Sequence, residues 1–352
     1  MSKQKKWFHG TIIGTGIILG LILIVMVIAD PYFHYHGKLP GMKYRINDER
    51  YINAGIMKHF EYDAIITGTS MNQNFKTSQM DTLFETNAIK VPFAGAGFKE
   101  IRENLERAFE SGNEIKYVLW GIDYEGLAKD ADFVAYAEYP EYLYDDNILN
   151  DASYVWNKEI LISGLLNNIL MTLRGEETTT FDEYASWDIG RGWEYMKQYI
   201  YEIPDTVPME QGLTEQERKT VEENISANIV ALAKKYPDTT FLLFYTPYSI
   251  LFWDNIYRGG TLEKQLQMEQ ITSGMLLECE NIELYNFFYK TDIVCNFDYY
   301  QDGFHYVNDV NAMIMDWIHK GEGRLTKENY MDMIQWERQF FMNYDYDSIY
   351  QQ

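Results

Sequence analysis

The chain has 352 residues, of which 46% are hydrophobic, so it is long enough to bury a sizeable core in one α/β domain with insertions. Its formal net charge is −23. A surface this acidic repels phosphate backbones, which excludes nucleic acid as an expected partner.

An uncharged apolar run at residues 11–29 follows a basic end at residues 1–10. The run is long enough to cross a bilayer as a helix, which needs about 20 residues. The lysines before it predict that this end is cytoplasmic, so we expect a single-pass cell-membrane protein with an extracytoplasmic domain. A cleavable signal peptide is the rival interpretation, because Val27 and Ala29 match a small-residue cleavage site. The length of the run and the Asp-Pro pair after it favour an uncleaved anchor.

Residues 30–60 form a connector rich in Tyr and Phe, which we expect to lie on the folded domain. An α/β domain is predicted over residues 61–320, because apolar segments alternate there with segments of helical periodicity. The five apolar segments begin at residues 63, 88, 115, 239 and 282. The helical segments begin at residues 98, 214, 261 and 307. This alternation predicts an α/β three-layer sandwich around a mostly parallel five-stranded sheet.

Two regions depart from this alternation. Residues 125–213 separate the third strand from the fourth and are predicted to form a Tyr-rich cap beside the ligand end of the sheet, or alternatively a scaffold helix pair without ligand contact. Residues 321–352 are predicted to form a helical tail packed on the domain. Cys279 and Cys295 are compatible with a disulfide or with two separate buried thiols.

The candidate catalytic residues fall at the carboxyl ends of the predicted strands, where ligands of parallel sheets bind. Ser70 ends the first strand after a glycine turn. His305 differs from the other five histidines because Asp302 precedes it by three residues in a turn-like segment. That spacing lets a carboxylate hold imidazole Nδ1 and leaves Nε2 free to accept a hydroxyl proton. The predicted topology brings Ser70 and His305 to the same edge of the sheet.

The order of these motifs resembles that of the SGNH/GDSL hydrolase superfamily, over roughly residues 60–320. The segment "GTS" ending at Ser70 matches its first block, Gly95 in "PFAGAGFKE" matches its second, and Asp302 with His305 matches the last block, Asp-x-x-His. The resemblance implies that Ser70 is the nucleophile, His305 the base and Asp302 its orienting carboxylate. It also implies an oxyanion hole formed by the backbone amides of Ser70 and Gly95.

The third block of the superfamily, Gly-x-Asn, is altered in this chain. The corresponding residues are Gly121, Ile122 and Asp123. An asparagine amide donates a hydrogen bond to a developing oxyanion, whereas an ionised Asp123 repels it. Asn72 and Asn74, just after the nucleophile, are the alternative amide donors.

With its apolar N-terminal run, the chain resembles membrane-tethered proteins of bacterial cell-surface acylation, including alginate O-acetylation proteins and the anchored protein of teichoic-acid D-alanylation. The resemblance implies a membrane-anchored serine esterase or O-acyltransferase acting on acyl esters of a surface polysaccharide or teichoic-acid-like polymer. It also implies a membrane-bound O-acyltransferase as a partner. No cofactor or metal is expected, because the sequence has no Cys/His cluster with zinc spacing, no P-loop and no dinucleotide fingerprint. The alternative, favoured by Asp123, is a catalytically weak or inactive glycan-binding or assembly factor with the same fold.

Overall fold

The computed structural model describes residues 3–136, 139–145, 147–200, 207–209 and 211–351. Parts of the predicted cap at 125–213, the first two residues of the predicted basic end and the last residue of the predicted tail lie outside the described residues.

Backbone contacts divide the chain into two compact units. The first comprises Met1–Phe60 and Glu138–Tyr184, and the second comprises Glu61–Ala137 and Ala185–Gln352. The N-terminal apolar run, the connector and one part of the predicted cap therefore belong to the first unit. The rest of the predicted cap, the α/β domain and the tail belong to the second.

The second unit contains a six-stranded sheet with the order β2-β1-β3-β4-β5-β6. The strands span Ala64–Thr67, Ala88–Lys90, Tyr117–Ile122, Thr240–Tyr245, Ile282–Tyr285 and Arg324–Leu325. The first five strands pair in parallel, and β6 pairs antiparallel with β5. The predicted α/β class and its five parallel strands are present, but the predicted number of strands is wrong. The sixth strand has two residues and lies in the tail, and it is too short to show a period of its own.

Strands β1, β3 and β4 are almost entirely apolar because helices cover both faces of a parallel sheet. All four residues of β1 and all but the first residue of β3 and of β4 are buried. The longer helices of this unit span Thr77–Phe84, Phe98–Glu110, Glu215–Ile225, Ile250–Arg258, Leu262–Leu276, Asn308–Lys320 and Tyr330–Asn343. The helices at Thr77–Phe84 and Ile250–Arg258 were not predicted, because each is shorter than three turns.

A capping box begins the helix that was predicted from residue 214. Thr214 Oγ1 accepts a hydrogen bond from the backbone N of Glu217 at 3.2 Å, and the Glu217 carboxylate accepts one from the backbone N of Thr214 at 2.8 Å. The hydrogen bond from Lys264, together with those from Thr214, lowers the pKa of Glu217 to about 2. These bonds start the helix Glu215–Ile225, which continues through a π-turn as far as Lys235.

The first unit begins with the 27-residue helix Lys3–Ala29, whose most apolar 18-residue stretch has a mean hydropathy of 3.0 and whose side chains are almost all exposed. By length and composition this helix can cross a membrane, as an anchor or as a signal sequence. Its orientation stays a prediction. The other helices of this unit span Glu49–His59, Ala152–Val155 and Ile160–Arg174.

The residues that follow the N-terminal helix fold back around a buried carboxylate. Asp30 is fully buried and accepts hydrogen bonds from the backbone N–H groups of His34, Tyr35 and His36, at 2.9, 2.7 and 2.8 Å. The Tyr154 hydroxyl donates a fourth, at 2.7 Å. The start of the connector is therefore an ordered turn that ends the helix, rather than a free linker.

The two cysteines are free thiols. Burial raises the pKa of Cys279, and it raises the pKa of Cys295 to about 11. Of the two alternatives that the sequence left open, the structure therefore has separate thiols.

Candidate active site

Ser70 lies at the carboxyl end of β1, at the point where the strand order of the sheet reverses. The chain leaves β1 for β2 on one side, and β3 lies on the other side, so a crevice opens beyond β1 and β3. Gly68 makes the turn out of β1 with φ of 132°, a region that is essentially restricted to glycine. A Cβ atom at Gly68 would also overlap the side-chain oxygen of Asn72. This turn leads directly into the short 3₁₀-helix Ser70–Asn72.

The loop before helix Asn308–Lys320 brings a histidine to Ser70. Ser70 Oγ lies 2.7 Å from His305 Nε2, and His305 Nδ1 lies 2.8 Å from Asp302 Oδ2. Asp302 Oδ1 also accepts from the backbone N of His305 at 2.7 Å, so one carboxylate orients both the ring and its backbone. Burial opposes the ionisation of Asp302, but the hydrogen bonds and charge of His305 outweigh it and lower the pKa of Asp302.

Two backbone N–H groups beside Ser70 have no hydrogen-bond partner among the described residues. They belong to Ser70 itself and to Gly95. Gly95 has φ of 70°, and its loop lines the same cleft as Ser70. The Tyr136 hydroxyl donates to the carbonyl of Ala94 next to it. Ser70 and Gly95 both line the cleft, and their backbone N–H groups are without an acceptor among the described residues.

Asp123 follows β3 and lines the cleft, and its carboxylate accepts hydrogen bonds from three hydroxyl groups. Its Oδ2 accepts from Thr69 Oγ1 at 2.5 Å, and its Oδ1 accepts from the Tyr248 hydroxyl at 2.8 Å and from Thr246 Oγ1 at 3.2 Å. Burial raises the pKa of Asp123, while these three hydrogen bonds favour the ionised form. A carboxylate with three hydroxyl donors is an acceptor, so Asp123 holds Thr69 beside Ser70.

The two alternative amide donors lie outside the cleft. Asn72 Oδ1 accepts from the backbone N of Gly121 at 3.3 Å, which joins the 3₁₀-helix to β3. Asn74 Oδ1 accepts from Ser186 Oγ at 3.1 Å and from the backbone N of Trp187 at 2.8 Å. Neither side chain lines the cleft. Both asparagines serve as acceptors that position neighbouring backbone.

Trp187 lies against the candidate base and was not predicted from the sequence. Its ring centroid is 5.0 Å from that of His305, at an interplanar angle of 74°. The Trp187 Nε1–H donates to Gln73 Oε1 at 2.6 Å, and its backbone N–H donates to Asn74. Gln73 and Asn74, just after Ser70, therefore hold the indole against the imidazole. No local pattern signals this contact, because Trp187 lies within the long insertion.

The cleft itself is small, with a volume of about 290 Å³. This volume is at the lower end of the range for small-molecule sites. Beside the polar groups above, its lining includes Met71, Phe98, Phe133, Tyr248 and Phe304, with the charged side chains of Glu125 and Lys129. Such a cleft has room for a small ligand that carries both apolar and polar groups. Across the described residues, no three His, Cys, Asp or Glu side chains converge in a way that would hold a metal ion.

Comparisons with known proteins give a distant structural likeness. No protein-family model matches the chain, and no curated protein sequence matches it. A solved structure described as "a putative platelet activating factor from Streptococcus pneumonia" aligns with a TM-score of 0.40 and 12% sequence identity. The alignment covers 78% of this chain and 90% of that chain. The likeness is too distant to carry an argument about this protein.

Proposed function

We propose that the chain is a serine esterase or O-acyltransferase of SGNH type, held at the cell membrane by its N-terminal helix. The observation that carries this proposal is the relay from Ser70 Oγ to His305 Nε2, at 2.7 Å, and from His305 Nδ1 to Asp302, at 2.8 Å. A hydroxyl nucleophile, a base and a carboxylate that orients the base are the three parts that nucleophilic acyl transfer requires.

In the proposed reaction, Ser70 Oγ attacks the carbonyl carbon of an ester while His305 Nε2 accepts the hydroxyl proton. The tetrahedral oxyanion accepts hydrogen bonds from the backbone N–H groups of Ser70 and Gly95. The carbon–oxygen bond to the leaving alcohol then breaks, and His305 returns its proton to that oxygen. Water or an acceptor hydroxyl attacks the acyl-Ser70 ester in the same way and regenerates the serine. Asp302 stabilises the imidazolium form in both halves.

The proposed substrate is an acyl ester of an extracytoplasmic glycan, such as a surface polysaccharide or a teichoic-acid-like polymer. The apolar helix Lys3–Ala29, which can cross a membrane, and the small cleft support this choice. We propose a membrane-bound O-acyltransferase as a functional partner, because an anchored enzyme of this kind needs a supply of acyl groups on its own side of the membrane.

The direct test is hydrolysis of a small phenyl ester by the full chain in detergent. Ser70→Ala should abolish turnover above background, while the matched control Ser226→Ala, on an exposed helical surface, should keep it. An Ser70→Ala variant with full activity would refute the assignment of the nucleophile.

A second candidate function is a catalytically weak glycan-binding or assembly factor. The observation that favours it is the buried carboxylate of Asp123 in the cleft, close to the position where an oxyanion would form. A fluorophosphonate probe separates the two candidates, because it forms a covalent bond only with an activated serine. Labelling that is lost in Ser70→Ala supports the enzyme, and absence of labelling in the unsubstituted chain supports the binding factor.

A further inference from the structure

The helix Ile160–Arg174 of the first unit carries an apolar stripe on its exposed surface. Ile162, Leu166, Ile169 and Leu173 are 48%, 46%, 36% and 78% exposed. Their spacing of four, three and four residues places them along one side of a helix. The opposite side, which includes Ile160 and Leu165, is buried within the unit. Single exposed apolar residues are ordinary, but a continuous apolar stripe indicates a surface that contacts a protein partner or a membrane.

This stripe lies in a segment without charge. Residues 160–173 contain no Asp, Glu, Lys or Arg, and charged side chains flank the segment at Lys158, Glu159 and Arg174. Trp156, just before the segment, is 45% exposed. A tryptophan and flanking charged residues around an apolar face are typical of helices that lie at the boundary between lipid and water.

The same helix packs where the N-terminal helix ends. A Cβ atom at Gly164 would lie only 3.0 Å from Pro31 Cβ and 3.5 Å from Tyr32 Cζ, so the backbone at Gly164 approaches these residues closely. Pro31 and Tyr32 come directly after the helix Lys3–Ala29 and its terminal Asp30. In that helix, the described residues that are buried are Met26 and Ala29, at its last turn. The contact therefore forms at the height at which a spanning helix would leave the membrane.

We propose that the apolar face of Ile160–Arg174 lies in the interfacial layer of the membrane that the N-terminal helix crosses. The proposal rests on the proposed membrane anchoring and goes beyond it, since it gives the first unit a second lipid contact. The occupant of the stripe is lipid, because the lipid-facing length of Lys3–Ala29 leads directly to this helix through Asp30–Tyr32. An interfacial helix buries its apolar face roughly 5–10 Å into the boundary between headgroups and acyl chains.

The test uses the full chain in nanodiscs that hold a single copy. Leu173→Cys and Leu166→Cys are each labelled with a bimane fluorophore, and the labelling of Cys279 and Cys295 is measured on the unsubstituted chain as background. Glu177→Cys is the matched control, because its side chain is 87% exposed and lies in the same unit just beyond the helix. Lipids that carry a quencher near the headgroups should quench positions 166 and 173 more strongly than lipids with a quencher at the bilayer centre.

Strong shallow quenching at 166 and 173, with little quenching at 177, supports the proposal. Equal and weak quenching at all three positions overturns it. The same measurement is repeated in nanodiscs that hold two copies. Shielding of the bimane at positions 166 and 173 from both quenchers that is found only with two copies overturns the proposal in favour of an interface between copies of this chain. Alkaline carbonate extraction of the full chain from membranes tests the anchoring separately, and release of the chain would overturn both. Ester hydrolysis by Ser70 is independent of each of these results.

Discussion

The carboxylate of Asp123 is the group in the cleft whose charge opposes the proposed chemistry. It is held by hydroxyl groups of Thr69, Thr246 and Tyr248, all within 3.2 Å. In Asp123→Asn, the amide oxygen retains Thr246 and Tyr248 as donors, and the amide N–H₂ replaces the oxygen beside Thr69. A negative charge is thereby removed and a donor is added near Ser70.

We therefore expect Asp123→Asn to raise kcat for phenyl-ester hydrolysis by roughly 10-fold, a fraction of the 10²–10³ that an oxyanion donor contributes. Steady-state kinetics at neutral pH measures this effect. Thr246→Val, which removes one donor to the carboxylate and leaves its charge, is the control and should not raise kcat. A loss of activity in Asp123→Asn would show that the carboxylate itself is needed.

The hydrogen bond from Trp187 to Asn74 also leads to a prediction for kcat when either residue is replaced. We expect Trp187→Ala to lower kcat by roughly 10-fold, because the imidazole loses the neighbour that orients it, and Trp187→Phe to retain most activity. Asn74→Ala should lower kcat by a similar factor. Because Asn74 acts through Trp187, the double variant should cost little more than either single change. Additive losses would instead indicate that Asn74 acts on the reacting atoms.

At the scale of elements, the turn from β1 into the 3₁₀-helix holds Ser70, the proposed nucleophile. Gly68 combines a φ of 132° with close approach to Asn72. Gly112 has a φ of 92° but no atom within 4 Å of a Cβ position. A substitution at Gly112 therefore measures the backbone strain of a positive φ without any steric overlap. This pair of glycines therefore provides a substitution and its matched control.

We expect Gly68→Ala to lower the free energy of unfolding by about 3 kcal/mol or more, and Gly112→Ala by roughly 1–2 kcal/mol. Urea titration monitored by circular dichroism measures both. If both substitutions lowered the free energy of unfolding equally, the side chain of Asn72 would be able to move away from Gly68 at no energetic cost. The packing of Asn72 against Gly68 would then not stabilise the turn.

At the scale of the whole molecule, a buried pair of carboxyl groups joins the C-terminal tail to the sheet. Glu269 and Glu337 are fully buried, and Asn286 Nδ2 donates to both, at 2.8 and 2.7 Å. The Tyr124 hydroxyl also donates to Glu269. Burial raises the pKa of Glu269 to about 7, and burial together with the charge of Glu269 raises the pKa of Glu337.

A carboxyl group with a raised pKa binds its proton more tightly in the folded protein than in the unfolded chain. Its stabilising contribution is therefore complete below about pH 4.5 and is lost as the pH rises through about 7. We expect Glu269 alone to lower the free energy of unfolding by roughly 3 kcal/mol across that interval, at about 1.4 kcal/mol per pKa unit, and Glu337 to add to this decrease.

Urea titrations between pH 4.5 and 8 measure this slope. Glu337→Gln should flatten it, because one titrating group is gone and its amide can donate to Glu269. Glu222→Gln, on an exposed helical surface, should leave the slope unchanged. An identical slope in Glu337→Gln and the unsubstituted chain would exclude the pair as its cause.

The sequence by itself determined the features that depend on local pattern. The five parallel strands were predictable because short apolar segments alternate with segments of helical periodicity, and the helix after Thr214 because its capping box is local. Asp302 and His305 were predictable as a pair because three residues of one turn set their contact. The N-terminal helix was predictable from length and hydropathy alone.

Only the tertiary structure decided which groups meet across long separations. It placed Ser70 and His305 at 2.7 Å although 235 positions separate them, it paired the two-residue β6 with β5, and it directed Asn74 to Trp187 instead of the cleft. The physical reason is that periodicity encodes which side of an element is buried. The partner of a particular polar atom depends instead on how several elements pack together, and no single segment records that packing.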